Sequence, residues 1–252
     1  MWLTSFTEED RPKASEAMQL FKEANRMLNQ LDAVYQTHGV VNIMDANADG
    51  DDLLLNGKRF PLLRQQAAKL KKDDPFLCLS DFVRPLSSGI TDKIGAFATT
   101  VDAEMEQLYA EDDYKRMLVQ TLSDRLAEAT AEKLHEDVRK KLWGYAPDEN
   151  LSVKDLHNEK YQGIRPAVGY PSLPDQSINF LLDELLDMKQ IGISLTENGM
   201  MKPHASVCGL MFAHPASRYF SIGKIGEDQL ADYAARRGMS IEETKKFLAA
   251  NL

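Results

Sequence analysis

Residues 94–142 read IGAFATTVDAEMEQLYAEDDYKRMLVQTLSDRLAEATAEKLHEDVRKKL and join two contrasting patterns. The first seven residues are mostly apolar and rich in strand-forming types, which predicts a strand. From Val101 to Leu142 the chain contains neither glycine nor proline. Apolar residues recur there at spacings of four or eight: Leu118, Leu122, Leu126, Leu134, Val138 and Leu142. This periodicity predicts one long helix, or two helices joined by a kink.

The sequence before this stretch predicts a helix followed by a hairpin. From Lys13 to Tyr35 apolar residues recur every three or four positions, which is the pattern of an amphipathic helix. The runs GVVNIM (39–44) and DDLLL (51–55) flank DANADG (45–50), whose residue types tolerate turn conformations. We therefore predict two strands joined by a polar turn.

The remaining elements are short strands and helices. Four short runs are candidate strands: FLCLSDF (76–82), ISLTE (193–197), ASVCGLMFA (205–213) and RYFSIGKI (218–225). Helices are predicted at Leu62–Leu70 and Phe180–Leu186. Two final helices are separated at Gly238, which suits a left-handed C-terminal cap, and Ser240 with Glu243 forms a capping box for the last helix.

The order of these elements indicates the fold class. Strands come in clusters and do not alternate strictly with helices, so we predict an α+β fold with a twisted, mostly antiparallel sheet and flanking long helices. No internal repeat, low-complexity tract or linker is visible, and residues 1–252 are expected to form a single domain. Residues 1–20 are allowed as an irregular lead-in.

Composition excludes several classes of partner. The formal net charge of -9 argues against nucleic acid, whose binding depends on clustered lysine and arginine. No run of about 20 apolar residues could span a membrane, and the acidic start MWLTSFTEED does not read as a secretory signal. A cytoplasmic location follows by default. Cys78 and Cys208 lie far apart in apolar stretches and are interpreted as buried reduced thiols.

Common catalytic and metal-binding motifs are missing from the sequence. Asp45, Asn47, Asp49 and Gly50 match the first half of a calcium-binding loop, but Asn56 stands where a bidentate glutamate is needed, so a polar turn is the better interpretation. The five histidines show no metal-ligand spacing, and no metal site is predicted. Neither a nucleophile elbow nor a glycine-rich phosphate loop is present.

The loop Arg165–Pro171, RPAVGYP, has the character of a ligand-binding segment. Two prolines and a glycine restrict its backbone, which holds peptide groups outside regular structure. Arg165 offers a planar fork for a carboxylate and Tyr170 a flat surface for a base. A rigid surface crossover, whose arginine caps a helix end, is an equally good interpretation from composition alone.

The segment GIRPAVGYPSLPD resembles the R-x-x-x-G-Y-P signature of the activation domain of cobalamin-dependent methionine synthase. Further segments resemble the same family in the same order, from about Phe21 to Leu252. They include CLSDFVRP, WGYAPDENLS, EKYQGIRPA, ASVCGL, HPASRYFSIGKI and DYAARRGMSIEE. Because several separate motifs would have to coincide by chance, the resemblance is specific.

The resemblance implies a domain that binds S-adenosylmethionine. In the family the methyl group of this ligand goes to cob(II)alamin, with one electron from a flavodoxin-like reductant, and methylcobalamin results. The cobalamin is expected on a partner domain or subunit of methionine synthase. No catalytic residue is expected here, because the cofactor carries the chemistry and the domain holds and aims the ligand.

Carried over by position, the resemblance assigns a set of ligand contacts. Arg165 is expected to bind the methionyl carboxylate, and backbone groups of Arg165, Ala167 and Gly169 to line the adenosyl portion. The other expected S-adenosylmethionine-binding residues are Asp81 as an acceptor, Glu128 as a charge contact, and the aromatic residues Tyr170, Tyr219 and Phe220. The family commonly has tyrosine at the position of Phe220, so a hydroxyl contact is absent there.

Two departures from the family keep alternatives open. After Tyr170-Pro171 this chain reads SLPDQSIN where the family tends to have Cys, His, Thr and Glu. It also lacks the cobalamin-binding D-x-H-x-x-G loop, the zinc cysteines and the folate barrel, so it is expected to be incomplete as a catalyst by itself. A docking module with decayed ligand binding, or a reactivation component for another corrinoid methyltransferase, are the alternatives. A separate gene product is favoured over a fragment of a longer enzyme.

Overall fold

The structure is a computed structural model that describes residues 11–66 and 74–252. Its first element, helix α1, spans Arg11–Asp32. Residues 11–20 are therefore helical, and an irregular lead-in is left only to residues 1–10, which lie outside the described part of the chain.

Helix α1 confirms the amphipathic pattern predicted from Lys13 to Tyr35, although the helix ends at Asp32. Met27 and Leu31 on one face are buried, and they pack in a cluster with Met105 and Val119. Packing of this apolar face stabilises the helix, since helical propensity alone is a weak contribution in water.

A five-stranded antiparallel sheet lies at the centre of the fold. In chain order the strands of the described residues are β1 (Thr37–Asp49), β2 (Asp52–Leu55), β3 (Lys58–Pro61), β4 (Asp92–Val101), β5 (Ser194–Leu195), β6 (Met201–Lys202) and β7 (Ser206–Met211). The sheet order is β3-β2-β1-β4-β7, and β5 with β6 forms a separate two-stranded ribbon. The predicted α+β fold with a mostly antiparallel sheet is confirmed.

Helix α2 spans Asp113–Asp137 and runs into a single π turn at Val138–Leu142. It begins where it does because the Asp112 carboxylate accepts a hydrogen bond from the backbone N–H of Lys115, 3.1 Å away. The long predicted helix is wrong for residues 101–112, which contain the end of β4 and a 3-10 turn. Absence of glycine and proline permits a helix but does not start one.

Four further helices follow: α3 (Val153–His157), α4 (Ile178–Leu186), α5 (Glu227–Arg237) and α6 (Ile241–Phe247). Helices α2 and α4 cover opposite faces of the sheet at β4. The Thr99 hydroxyl donates to the Ala127 carbonyl of α2 at 3.0 Å, whereas Ala96 and Ala98 pack in the cluster that contains Leu182 of α4. A strand buried on both faces requires a continuous apolar run, which explains IGAFATT.

The C-terminal predictions hold with small changes. The helix at Phe180–Leu186 is confirmed as α4, and ISLTE (193–197) contributes only the two residues of β5. Gly238 has a φ of 67° and caps α5. The Ser240 hydroxyl accepts from the Glu243 backbone N–H at 3.2 Å, which is one arm of the predicted capping box. Among the described residues, no helix has the length and apolar character needed to cross a bilayer.

The polar turn predicted over DANADG (45–50) is mostly strand. Residues 45–49 continue β1, with Ala46 and Ala48 buried and the intervening polar side chains on the other face. Only Gly50 and Asp51 form the turn, because the register pairs the residues on either side of them. In the part of the chain that the structure describes, no group of three His, Cys, Asp or Glu residues could hold a metal ion.

Two predicted strands and one predicted helix are wrong. Within FLCLSDF (76–82) only Cys78 pairs, through an isolated bridge, and Leu79–Phe82 is a 3-10 turn. RYFSIGKI (218–225) forms no strand pairing, and Gly223 within it has a φ of 71°. Of the helix predicted from residue 62, residues 62–66 are not helical, and the rest lies outside the described residues. Apolar runs satisfy burial in turns as well as in strands, so composition cannot identify the missing partner strand.

Candidate functional site

The loop Arg165–Pro171 runs along the outer edge of β7. Just before it, the backbones of Ile164 and Phe212 exchange two hydrogen bonds of 3.0 and 2.9 Å. The approach is so close that a Cβ on Gly209 would lie 2.2 Å from the Pro166 carbonyl oxygen, so glycine is required there. The loop is therefore held as an irregular extra strand on the sheet.

A cavity of about 570 Å³ lies between this loop, helix α2 and residues 219–221. Its lining residues are Phe97, Glu128, Ala131, Glu132, Glu159, Arg165, Pro166, Ala167, Tyr170, Pro171, Ser172, Val207, Tyr219, Phe220 and Ser221. Most of the residues assigned to the site by sequence belong to this lining: Glu128, Arg165, Ala167, Tyr170, Tyr219 and Phe220. The structure thus brings together helix and loop residues that lie far apart in sequence.

Arg165 is the charged centre of the cavity wall. Its Nη2 atom makes a short contact with the Glu132 carboxylate. Its Nη1 atom donates to the Tyr161 hydroxyl at 3.2 Å and to His135 Nδ1 at 3.4 Å. Its backbone N–H donates to the Tyr219 hydroxyl at 3.0 Å. One part of the guanidinium is therefore anchored by Tyr161 and His135, and Nη2 is held by Glu132, which also lines the cavity.

His135 lies beneath Arg165 and is completely buried. Burial lowers the pKa of His135 to about 2, with a further lowering from the nearby positive charges of Arg139 and Arg165. The ring is therefore neutral at physiological pH. Tyr161 packs edge-on against it, with ring centroids 5.2 Å apart.

The aromatic residues of the site differ in how tightly they are held. Tyr219 is 37% exposed as a whole residue, but desolvation of its hydroxyl raises its pKa well above the ordinary value, and that hydroxyl accepts a hydrogen bond from the Arg165 backbone N–H. Tyr170 is exposed, and its hydroxyl donates to Glu128 at 3.4 Å. Partial desolvation of the hydroxyl, with a smaller contribution from Glu128, raises the pKa of Tyr170. Phe220 lines the cavity without a hydrogen-bonding group.

The structure places Asp81 outside this cavity. The Asp81 carboxylate accepts two hydrogen bonds of 2.8 Å from the Arg64 guanidinium and a third, also 2.8 Å, from the Cys78 backbone N–H. It borders a neighbouring depression together with Phe82 and His214. With three donors already in place, Asp81 caps the 3-10 turn.

Gly169 and the segment SLPDQSIN (172–179), which departs from the family pattern, support the loop without lining the cavity throughout. Gly169 has a φ of 86°, and its backbone N–H donates to the Leu173 carbonyl at 2.9 Å, but it is not among the residues that line the cavity. Asp175 is buried and accepts hydrogen bonds from Ser177 and from Tyr233 of α5. Much of SLPDQSIN therefore packs into the interior, where it connects the loop to the C-terminal helices.

Sequence reasoning missed several lining residues, and two of them are carboxylates. Glu132 contacts Arg165, and Glu159 also lines the cavity. The signal for Glu132 was available, because Glu128, Glu132 and His135 are spaced four and three residues apart and therefore share one face of α2. No comparable local pattern marks Glu159.

The charges of the lining point to the kind of ligand that fits. Three carboxylates, Glu128, Glu132 and Glu159, and one guanidinium, Arg165, belong to a lining that is otherwise largely apolar and aromatic. A ligand that carries a carboxylate for Arg165 and positive charge for the glutamates would be complementary. Flat rings such as Tyr170 and Tyr219 suit an aromatic base.

The chain matches a known protein family and a solved structure over most of its length. Residues 4–238 match the family described as vitamin B12 dependent methionine synthase, activation domain. A crystal structure of the MetH reactivation domain bound to AdoHcy is 44% identical in sequence and superposes with a TM-score of 0.89. That match covers 100% of this chain and 83% of that chain.

Proposed function

The chain belongs to the family of activation domains of vitamin B12-dependent methionine synthase, and from this premise we propose that its cavity binds S-adenosylmethionine. The observation that carries the proposal is Arg165, a lining residue of the cavity whose guanidinium is anchored by Tyr161 and His135 and paired with the half-exposed Glu132. The similar MetH domain was solved with AdoHcy, the product that remains when S-adenosylmethionine has given up its methyl group.

The ligand's charges match those of the cavity wall. S-adenosylmethionine carries one carboxylate and two positive groups, an ammonium and a sulfonium. Arg165 would take the carboxylate, because a guanidinium presents paired donors to carboxylate oxygens. Its present partner Glu132 is half-exposed and can exchange that contact for the ligand's ammonium or for water. Glu128 and Glu159 would favour the sulfonium over a neutral thioether.

Backbone and aromatic groups would hold the adenosyl portion. The bridge between Ala167 and Gly209 of β7 is closed by hydrogen bonds from the residues on either side, so the N–H of Ala167 points away from β7. Together with the backbone of Arg165 it offers polar groups at the edge where the cavity lies. Tyr170 and Tyr219 provide flat surfaces for the base, and Phe220 an apolar one.

The chain's part in catalysis would be to hold and aim the methyl group. Cobalamin on a partner domain or subunit supplies the reduced cobalt that accepts the methyl group, and a flavodoxin-like donor supplies the electron. No side chain of this protein needs to act as a nucleophile, and by this proposal the chain is catalytically incomplete by itself. A cytoplasmic location belongs to the same proposal, since Cys78 and Cys208 are free and buried.

Calorimetric titration with S-adenosylmethionine tests the proposal. The wild type should bind saturably, and Arg165→Ala should bind roughly 10- to 150-fold more weakly, because a hydrogen bond to a charged group contributes about 1.5–3 kcal/mol. Arg116→Ala removes an exposed arginine on the outside of α2 and should bind as the wild type does.

Two results would contradict the proposal. Equal affinity in the wild type and Arg165→Ala would show that the ligand does not use this cavity. A wild type that binds no ligand, yet forms a complex with a cobalamin protein, would favour the docking-module alternative.

A further inference from the structure

His135 makes contacts that do not belong to ordinary core packing. It lies on α2 between the cavity wall and the interior, and none of its surface is exposed. Its Nδ1 is 3.4 Å from Arg165 Nη1, and its Nε2 is 3.3 Å from the Tyr145 hydroxyl. Both ring nitrogens are therefore hydrogen-bonded, and the partner of Nδ1 is Arg165, the residue proposed to bind the carboxylate of the ligand.

These contacts select one tautomer of the ring. A guanidinium has only donors, so His135 Nδ1 must accept the hydrogen bond from Arg165 and cannot carry a proton. The proton is then on Nε2, which donates to the Tyr145 hydroxyl. That hydroxyl in turn donates to the Gln162 carbonyl at 3.4 Å. The donor and the acceptor of each hydrogen bond in this series are therefore fixed by the hydrogen bond from Arg165 to His135.

The surroundings of the ring keep it neutral. The charged and titratable groups that face it are Arg165, Arg139, Tyr145 and Tyr161. Two are cations and two are phenols. The carboxylates near these arginines, Glu132 and Glu149, are paired with the arginines themselves. A proton on Nδ1 would be directed at the Arg165 guanidinium and would break the contact between them.

We propose that His135, as its neutral Nε2–H tautomer, is a positioning residue that orients the Arg165 guanidinium and thereby selects ligands that carry a carboxylate. The proposal rests on the proposed function for the role of Arg165. His135 does not touch the ligand, so its effect should appear only through Arg165. It should strengthen binding of S-adenosylmethionine and leave 5′-methylthioadenosine, which lacks the amino-acid portion, unaffected.

Two amide variants of His135 distinguish loss of the hydrogen-bond acceptor for Arg165 from a change in side-chain size. Asparagine places its side-chain oxygen where Nδ1 lies and keeps an acceptor for Arg165, while glutamine places its amide near Nε2 and loses that acceptor. We expect His135→Gln to bind S-adenosylmethionine about tenfold more weakly and 5′-methylthioadenosine within twofold of the wild type. His135→Asn should restore S-adenosylmethionine binding to within about threefold. His157→Gln, at an exposed histidine, is the matched control.

The proposal would be overturned if His135→Gln lost affinity equally for both nucleosides or lost none. It would also be overturned if the glutamine and asparagine variants bound S-adenosylmethionine with equal affinity. Nitrogen-15 NMR of the His135 ring gives a readout without ligand. We expect a protonated Nε2 and an unprotonated Nδ1 from pH 5 to pH 8, and the opposite tautomer or a protonated ring at pH 6 would refute the role. If the wild type binds no S-adenosylmethionine, the proposed function fails, and the NMR result still decides the tautomer.

Discussion

Two arginines, Arg139 and Arg165, approach the ring of Tyr161 and differ in what surrounds their charge. The Arg139 guanidinium carbon is 4.5 Å from the ring centroid, and that of Arg165 is 5.9 Å away. Arg139 is 1% exposed and its partner Glu149 8%, with two hydrogen bonds of 2.8 and 2.6 Å between them. Arg165 is 15% exposed and its partner Glu132 51%.

The difference separates a structural ion pair from an exchangeable one. The Glu149 side chain is only 8% exposed, so separating that pair would leave two poorly solvated, uncompensated charges inside the protein. Glu132 is half in solvent and can be hydrated when a ligand takes its arginine. Burial of the carboxylate, not of the arginine, therefore decides which pair can serve a binding site.

Removing the charge of Glu149 is expected to have the largest effect. Glu149→Gln leaves the Arg139 guanidinium buried without a counter-charge and should lower the free energy of unfolding by about 3–5 kcal/mol, measured by urea denaturation. Replacing both partners, with Arg139→Met and Glu149→Leu together, should recover most of that loss because neither charge is then buried. If the single variant were as stable as the wild type, the pair would not be the structural one.

Lowering the pH should decrease the free energy of unfolding, because His135 is neutral in the folded protein. The pKa of His135 is about 2 in the folded protein and about 6.5 in the unfolded chain, so between these values the unfolded state binds more protons. The contribution of His135 to the free energy of unfolding is therefore complete above about pH 6.5 and is lost as the pH falls below that value. At pH 5 the wild type should have lost about 2 kcal/mol from this residue alone. Urea denaturation of the wild type and His135→Asn from pH 7 to 5 measures it, and identical slopes would contradict the prediction.

The matched change at the exchangeable pair is expected to have the smallest effect. Glu132→Gln removes a carboxylate that is half-exposed, and such pairs contribute less than about 1 kcal/mol. Its free energy of unfolding, measured by the same denaturation as for Glu149→Gln, should therefore stay within about 1 kcal/mol of the wild type. A loss as large as that of the buried variant would erase the distinction between the two pairs.

The sequence predicted those parts of the fold that depend on neighbouring residues. The stripe of α1, the doubly buried strand β4 and the glycine cap at Gly238 were all visible in it, because each reflects spacing or backbone freedom over a few residues. The strands predicted at FLCLSDF and RYFSIGKI failed, since a strand also needs a partner that the local sequence does not name.

The candidate site shows the same division. The family resemblance pointed to Arg165 and Tyr170 in the loop and to Tyr219 in HPASRYF, and the structure gathers them around one cavity. It assigned Asp81 as well, but that carboxylate is engaged by Arg64 and lies outside the cavity. It did not find Glu132, because no motif marks a glutamate whose role comes only from the face of α2 on which it lies.

By itself the sequence determined the family, the fold class and the loop that carries Arg165. Only the tertiary structure decided which groups meet that arginine, since its contacts with His135, Glu132 and Tyr219 join residues 30, 33 and 54 positions apart. Local patterns are set by backbone preferences and by the alternation of apolar and polar residues. The partner, burial and tautomer of each charged group are set by how α2 and the loop pack against β7.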